Sequence, residues 1–157
     1  MNKDGKVKLK RTTEADKASL GDLDGQIGFL LRLAQVAVFK DLIGVLKPFD
    51  LRPTDFSVLV VIWETPGLKQ QQLGEALSIQ RSNLVTILDQ LQGRGLVQRG
   101  AVEGDRRSYA LSLTSDGASL LIKAKGAHKR HVRAIATVLQ GIDKGILVEG
   151  LTRLASL

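Results

Sequence analysis

Between Lys69 and Leu113 the spacing of apolar residues changes from a helical period to a strand period, and that change restricts the fold more than any other feature of the chain. Lys69 to Leu77 turns Leu73, Ala76 and Leu77 to one side. From Arg81 to about Arg94, Leu84, Ile87, Leu88 and Leu91 recur at three- and four-residue steps. Gly93 and Gly95 bracket the end of that segment. Leu96 to Arg99 then reads as a short extended run, and after a charged loop Tyr109, Leu111 and Leu113 alternate with Ser108, Ala110 and Ser112. Two short helices followed by a hairpin with a basic tip predict a winged helix-turn-helix.

The flanking segments are long and helical. Leu23, Ile27, Leu30, Leu31, Ala34, Val38, Leu42, Val45 and Leu46 form one amphipathic stripe that Pro48 terminates. Pro53, with Thr54 and Asp55 in the first turn, opens a second helix. Its apolar residues Phe56, Val58, Leu59, Val61, Ile62 and Trp63 lie nearly all round, which predicts burial, and Pro66–Gly67 closes it. Ser78 is read as the turn and cap ahead of the fourth helix. Thr114 is read as the cap of a helix from Ser115 to about Leu139, with Ala118, Leu121, Ala124, Val132, Ile135 and Leu139 inward. Asp143 is read as the cap of a last helix with Ile146, Leu147, Leu151 and Leu154 on one stripe.

Composition narrows the function. The chain is 43% hydrophobic and 25% charged, the balance of a globular domain, and its formal charge of +7 favours polyanionic partners. It has no cysteine, so disulfides and thiolate chemistry are excluded. No apolar run reaches the roughly 20 residues of a membrane span, and no secretory h-region follows the N-terminus, which predicts a cytoplasmic protein without a membrane partner. Residues 1–20 read as a basic arm, since Lys3, Lys6, Lys8, Lys10, Arg11 and Lys17 outnumber Asp4, Glu14 and Asp16. The arm is either a solvated tail or a phosphate contact. No serine sits in an elbow motif with a base, so an enzyme is not expected, and no cofactor is called for. His128 and His131 are spaced for two metal ligands but lack a third, and beside Lys129, Arg130 and Arg133 they read as part of a basic outer face with no metal.

A helix of this kind fits a major groove and an arginine fits a minor groove. Gln80, Arg81, Ser82, Asn83, Thr86 and Gln90 lie opposite the leucine face and are candidates for base contact, amide side chains suiting adenine and arginine suiting guanine. The competing reading for Asn83 and Gln90 is simple solvent exposure. At the hairpin tip Asp105 can orient Arg106 or Arg107 toward DNA, against the plainer reading of a salt bridge on a turn. Lys69, Arg94 and Arg99 are candidates for phosphate contacts.

These residues resemble the MarR family of regulators over nearly the whole chain from about Leu23. The resemblance rests on "LDQLQGRGLVQR" from Leu88 to Arg99 and "GDRRSYALSLTSDG" from Gly104 to Gly117, where Asp105 and Arg107 match the wing signature and Leu113, Thr114 and Gly117 match the entry to the fifth helix. Two departures are Ala101–Val102, where Asp-Pro is usual, and Thr86 and Gln90, at positions often basic. The resemblance implies a mainly α fold, a single domain over 21–157. Its winged helix-turn-helix lobe, at about 52–114 with a two-stranded β-wing, is flanked by dimerisation helices at about 21–48 and 115–157. It further implies a homodimer that represses transcription from a palindromic operator in double-stranded DNA until a small molecule binds. In relatives the effector is often an aromatic carboxylate or a CoA thioester. Phe29, Phe39, Phe56 and Trp63 are candidates to line such a pocket, with Arg32, Lys40 and Arg52 to neutralise an acid. For the aromatics core packing competes, and for the cations a surface role. Two alternatives stay open: a ligand-independent architectural DNA binder, and an adaptor whose winged helix recognises protein.

Overall fold

The computed structural model describes residues 19–102 and 105–157, apart from the side chains at 101, 102 and 105–108. A 3-10 turn at Gly21–Leu23 precedes α1 (Ile27–Leu46), and a second 3-10 turn (Lys47–Phe49) leads to α2 (Pro53–Glu64), α3 (Gln70–Leu77) and α4 (Arg81–Gly93). The hairpin β1 (Val97–Val102) and β2 (Asp105–Leu113) follows, then α5 (Ser115–Val138) and α6 (Lys144–Ala155). Contacts divide the chain within α1, into a unit ending at Ala34 and a main unit from Gln35 to Leu157. In the first, the Arg32 guanidinium lies 5.5 Å from the centre of the Phe29 ring, a cation–π contact.

The core of the main unit belongs to the helix-turn-helix and its neighbours. Val58, Leu59 and Ile62 of α2, Leu73 of α3, Leu84, Leu88 and Leu91 of α4, Val97 and Leu111 of the hairpin, and Leu121 and Ala124 of α5 are all at most 2% exposed. Each large side chain buried this way contributes about 1.5–3 kcal/mol. α2 begins as the sequence predicts, with Pro53 in its first turn. The turn between α3 and α4 differs from expectation. Ser78 is left-handed (φ 51°) and closes α3 rather than capping α4, whose N-cap is Gln80. A turn this tight needs one residue out of the helical region to reverse the chain, and Ile79 N–H donating to the Gly74 carbonyl at 2.9 Å secures it.

Gly95, also left-handed (φ 68°), ends α4. Leu96 N–H donates to Leu91 O at 3.0 Å and Gly95 N–H to Gln92 O at 2.9 Å, a Schellman closure. The strands are antiparallel with Val97 opposite Leu113 and Arg99 opposite Leu111, and the register shifts between Ala101 and Val102. The ladder is longer than the alternation alone predicts. A further edge comes from the segment before α3, where Leu111 N–H donates to Leu68 O at 3.0 Å and Gly67 N–H to Leu111 O at 2.8 Å.

Thr114 joins this lobe to α5. Its hydroxyl accepts from Gly117 N–H at 3.0 Å, capping the helix, and donates to Gly95 O at 2.6 Å, while its N–H donates to Leu96 O at 3.1 Å. The backbone of α5 therefore runs against the end of α4. A Cβ at position 117 would stand 2.0 Å from the Leu96 carbonyl oxygen, so only glycine fits there.

Several side chains of α5 and α6 sit differently from expectation. Val132 is 50% exposed rather than inward, and Ile146, Leu151 and Leu154 lie on a helix without a buried residue. Their stripe is real, but among the described residues no element covers it. His128 and His131, expected on a basic outer face, continue the inward stripe of Gly117, Leu121 and Ala124. His131 is 4% exposed with Nδ1 2.5 Å from Asp41 Oδ2, and the half-buried His128 packs 4.9 Å from the Phe56 ring. The sequence carried that signal in the three- and four-residue steps from 117 to 131; the neighbouring lysine and arginines masked it. Among the described residues no cluster of three His, Cys, Asp or Glu is placed to hold a metal ion.

Gly117→Ala should destabilise the fold by about 2–4 kcal/mol, because the Leu96 carbonyl cannot move without disturbing the hairpin. Gly126→Ala, where a Cβ meets nothing, should stabilise α5 by about 0.5–1 kcal/mol; urea midpoints of the two variants measure both. Burial, and secondarily the charge of His131, push the His128 pKa below its ordinary value. A folded state that disfavours the proton is fully stable above the unfolded pKa, near 6.5, and loses stability as pH falls below it. The urea midpoint should accordingly decline from pH 7.5 to 5.5, and less steeply in His128→Gln.

Candidate nucleic-acid interface

α4 has two chemically distinct faces. Leu84, Ile87, Leu88 and Leu91 are buried, while Gln80, Arg81, Ser82, Asn83, Thr86 and Gln90 are all exposed. Since the leucine face is locked in the core, the helix cannot roll, and the polar edge is held outward. Among the described residues, the side chains of Gln80, Arg81, Ser82 and Asn83 form no hydrogen bond. Thr86 Oγ1 donates to the Ser82 carbonyl at 3.3 Å within the helix. An edge of donors and acceptors without internal partners is free to pair with an external ligand.

Gln90 is placed differently. Its Oε1 accepts from Arg52 Nη2 at 2.6 Å, and Arg52 also grips the buried carboxylate of Asp55 through Nη2 and Nε, each at 3.0 Å. Asp55 additionally accepts the Arg52 backbone N–H at 2.9 Å, closing the first turn of α2. The pair raises the Arg52 pKa through the hydrogen bond first and the charge second, so the guanidinium is permanently cationic.

The three cations read as phosphate contacts are also engaged within the chain. Arg94 donates to the carbonyls of Asp50 at 2.7 Å and Phe49 at 3.2 Å, bracing the turn where Asp50 is left-handed (φ 51°). Arg99 donates to Asp89 at 2.7 Å and Gln92 at 2.9 Å, tying β1 to α4. Lys69 heads α3, its N–H donating to Gln72 Oε1 at 2.8 Å. The side chains of Asp105, Arg106 and Arg107, and the arm over residues 1–18, lie outside the described residues.

A groove on one side of α4 is lined by Gln70 and Gln71 of α3, Arg81 and Val85 of α4, and Tyr109 of β2. Tyr109 was grouped by its alternation with Leu111 and Leu113, yet it is 52% exposed because the hairpin extends past the core. Gln70 and Gln71 carry no periodic signal, and only the approach of α3 to the hairpin brings them to this groove.

A second cleft lies on the other side, between α1 and the lobe, lined by Phe39, Ile43, Lys47, Arg52, Gln90 and Arg94 among others. Of the residues considered for an effector pocket, it brings together Phe39 and Arg52. Lys40 lines a separate hollow beside Asp41, Arg130 and His131. Phe56 belongs to the core at 6% exposure, Trp63 is 41% exposed on α2, and Phe29 and Arg32 belong to the N-terminal unit.

Known proteins share this architecture. Residues 51–109 match the model of the MarR family. The chain is 31% identical over 147 residues, 92% of its length and 89% of the relative's, to a putative transcriptional regulatory protein for the hcr operon of Thauera aromatica. Among solved structures, the transcriptional repressor CouR bound to a 23-mer DNA duplex is 35% identical, with a TM-score of 0.83 over 89% of this chain and 99% of the repressor. CouR bound to p-coumaroyl-CoA is 32% identical, with a TM-score of 0.80 over 88% and 98%. The architecture and the extent of these matches establish that the chain belongs to the MarR family of transcriptional regulators, which are regulators and not enzymes.

Proposed function

We propose that the chain is a cytoplasmic, homodimeric repressor that binds a palindromic site in duplex DNA and releases it on binding an aromatic acid or its CoA thioester. The observation that carries the DNA reading is the polar edge of α4 formed by Gln80, Arg81, Ser82, Asn83 and Thr86, exposed and without tertiary hydrogen-bond partners among the described residues. In this reading α4 from each protomer enters one of two major grooves about 34 Å apart, and the wings with Arg106 and Arg107 reach the flanking minor grooves. Gln80, Arg81, Ser82, Asn83 and Thr86 read bases, and the basic N-terminal arm adds phosphate contacts. CouR bound to DNA supports this assignment.

The uncovered stripe of α6, with Ile146 74% exposed and Val138 of α5 83% exposed, supports dimerisation through the terminal helices. Apolar faces of this extent are costly in water and are normally covered by another chain. In this reading the lobe at about 52–114 reads DNA, and the flanking helices at about 21–48 and 115–157 form the dimer.

The effector reading is supported by CouR bound to p-coumaroyl-CoA and by the cleft that sets Phe39 and Ile43 beside cationic Lys47, Arg52 and Arg94. Apolar walls with a few converging charges suit an aromatic acid derivative.

On a duplex selected from a random pool, Arg81→Ala should cost about 1–3 kcal/mol and relax preference at one base position. Arg107→Ala should weaken binding to all sequences and lower the salt slope by about one. Unchanged affinity in both variants would remove α4 and the wing from the mechanism, and no duplex binding at low salt would favour a protein-binding adaptor. p-Coumaroyl-CoA at 100 times its dissociation constant should stabilise the native state by about 2.7 kcal/mol, seen as a raised Tm, and release the duplex. A ligand screen of aromatic acids and thioesters that left both readouts unmoved would favour a ligand-independent binder.

A further inference from the structure

Arg52 lines the cleft, and its charged group reaches the recognition helix. Its Nη2 donates to Gln90 Oε1 across 38 positions of sequence, while Nη2 and Nε hold Asp55. A guanidinium has only donors, so chemistry alone dictates which end of the Gln90 amide faces it. The oxygen is turned inward to Arg52, and the NH2 group is left as the end available outward. A glutamine that reads adenine needs both its oxygen and its nitrogen at the base edge. Held by Arg52, Gln90 is instead a donor, suited to a phosphate oxygen or a base acceptor.

Arg52 also lines the cleft with Phe39, Ile43 and Lys47, and its side chain is 60% accessible. Asp55 is 6% accessible and is held by the backbone as well as by Arg52, so it stays in place. The neutral Gln90 amide is the weaker of the two acceptors, and an incoming anion forms a stronger, charge-assisted pair with the same donor.

We propose that Arg52 is a positioning residue that links the cleft to DNA recognition: it holds Gln90 of α4 as a hydrogen-bond donor toward DNA, and a carboxylate or phosphate entering the cleft takes that guanidinium donor and releases Gln90. This rests on the DNA-binding and effector readings above and assigns the contact through which one site affects the other. The ligand shifts affinity because it and Gln90 compete for one donor, which is the differential interaction that coupling requires. The two protomers each lose one ordered contact, so coupling of about five- to thirtyfold in DNA affinity is expected, within the usual allosteric range.

The test is a double-mutant cycle on the full-length dimer, with a duplex selected by the wild type and affinity read by fluorescence anisotropy. Arg52→Gln and Gln90→Ala should each weaken binding about tenfold, and the double variant should be no weaker than either alone. Melting temperatures accompany each variant, and Gln90→Ala, on an exposed helical position, keeps the cycle readable if Arg52→Gln folds poorly, through its loss of ligand response. p-Coumarate supplies a carboxylate, coenzyme A supplies phosphates, and p-coumaroyl-CoA supplies the coenzyme A phosphates joined through a thioester to the aromatic acyl group, without a carboxylate. The anion that acts should lower wild-type DNA affinity, and should still raise the Tm of Gln90→Ala while lowering its DNA affinity at most twofold. Additive losses in the cycle, or a Gln90→Ala variant that responds to the ligand as fully as the wild type, would overturn the proposal. Failure of the wild type to bind any selected duplex, or any of the three ligands, would instead overturn the readings on which it rests.

Discussion

The burial of one face of α4 is the constraint on which the molecule depends. Leu84, Leu88 and Leu91 are at most 1% exposed and share one core cluster with residues of α2, α3, the hairpin and α5. Because side chains on a helix are fixed relative to one another, burying these leucines determines the direction of Gln80, Arg81, Asn83 and Thr86. A recognition edge needs that rigidity, since a helix free to roll would lose the register of its base contacts. In the proposed reading the core thus serves DNA recognition as well as stability.

Around α4, polar links do the aiming. The Schellman turn at Gly95, the Thr114 hydroxyl and the close passage of Gly117 tie the end of α4 to the start of α5. Arg99 ties β1 to Asp89 and Gln92, and Arg94 braces the turn at Asp50. The Arg81 side chain forms no hydrogen bond among the described residues, whereas Arg94 and Arg99 are engaged in internal geometry. Such exposed pairs each contribute little to stability, of order 0–1 kcal/mol, but they restrict orientation. Arg52 stands between these cases, bound to Asp55 and Gln90 and open to the cleft.

Much of this architecture was legible in the residues. The helical stripes, the breakers Pro48, Pro53 and Pro66, the caps Thr114 and Asp143, and the alternation through Tyr109 to Leu113 locate nearly every element. Ser78 was misassigned because its type suits both a cap and a left-handed turn. The histidines were misassigned because their cationic neighbours outweighed the stripe they continue. The added edge at Leu68 carried no signal, since an isolated bridge has no period.

The candidate site divides along the same line. From the sequence alone came the two-faced α4, the hairpin after it and the family likeness, because amphipathic spacing and short-range turn chemistry are local properties of the chain. Tertiary structure alone decided that Arg94 and Arg99 pair with Asp50, Phe49, Asp89 and Gln92, that Phe56 is core while Phe39 and Arg52 share a cleft, and that Arg52 reaches Gln90. Those outcomes depend on residues distant in sequence meeting in space, where competition among hydrogen-bond partners and packing neighbours determines each role. No spacing rule encodes that competition.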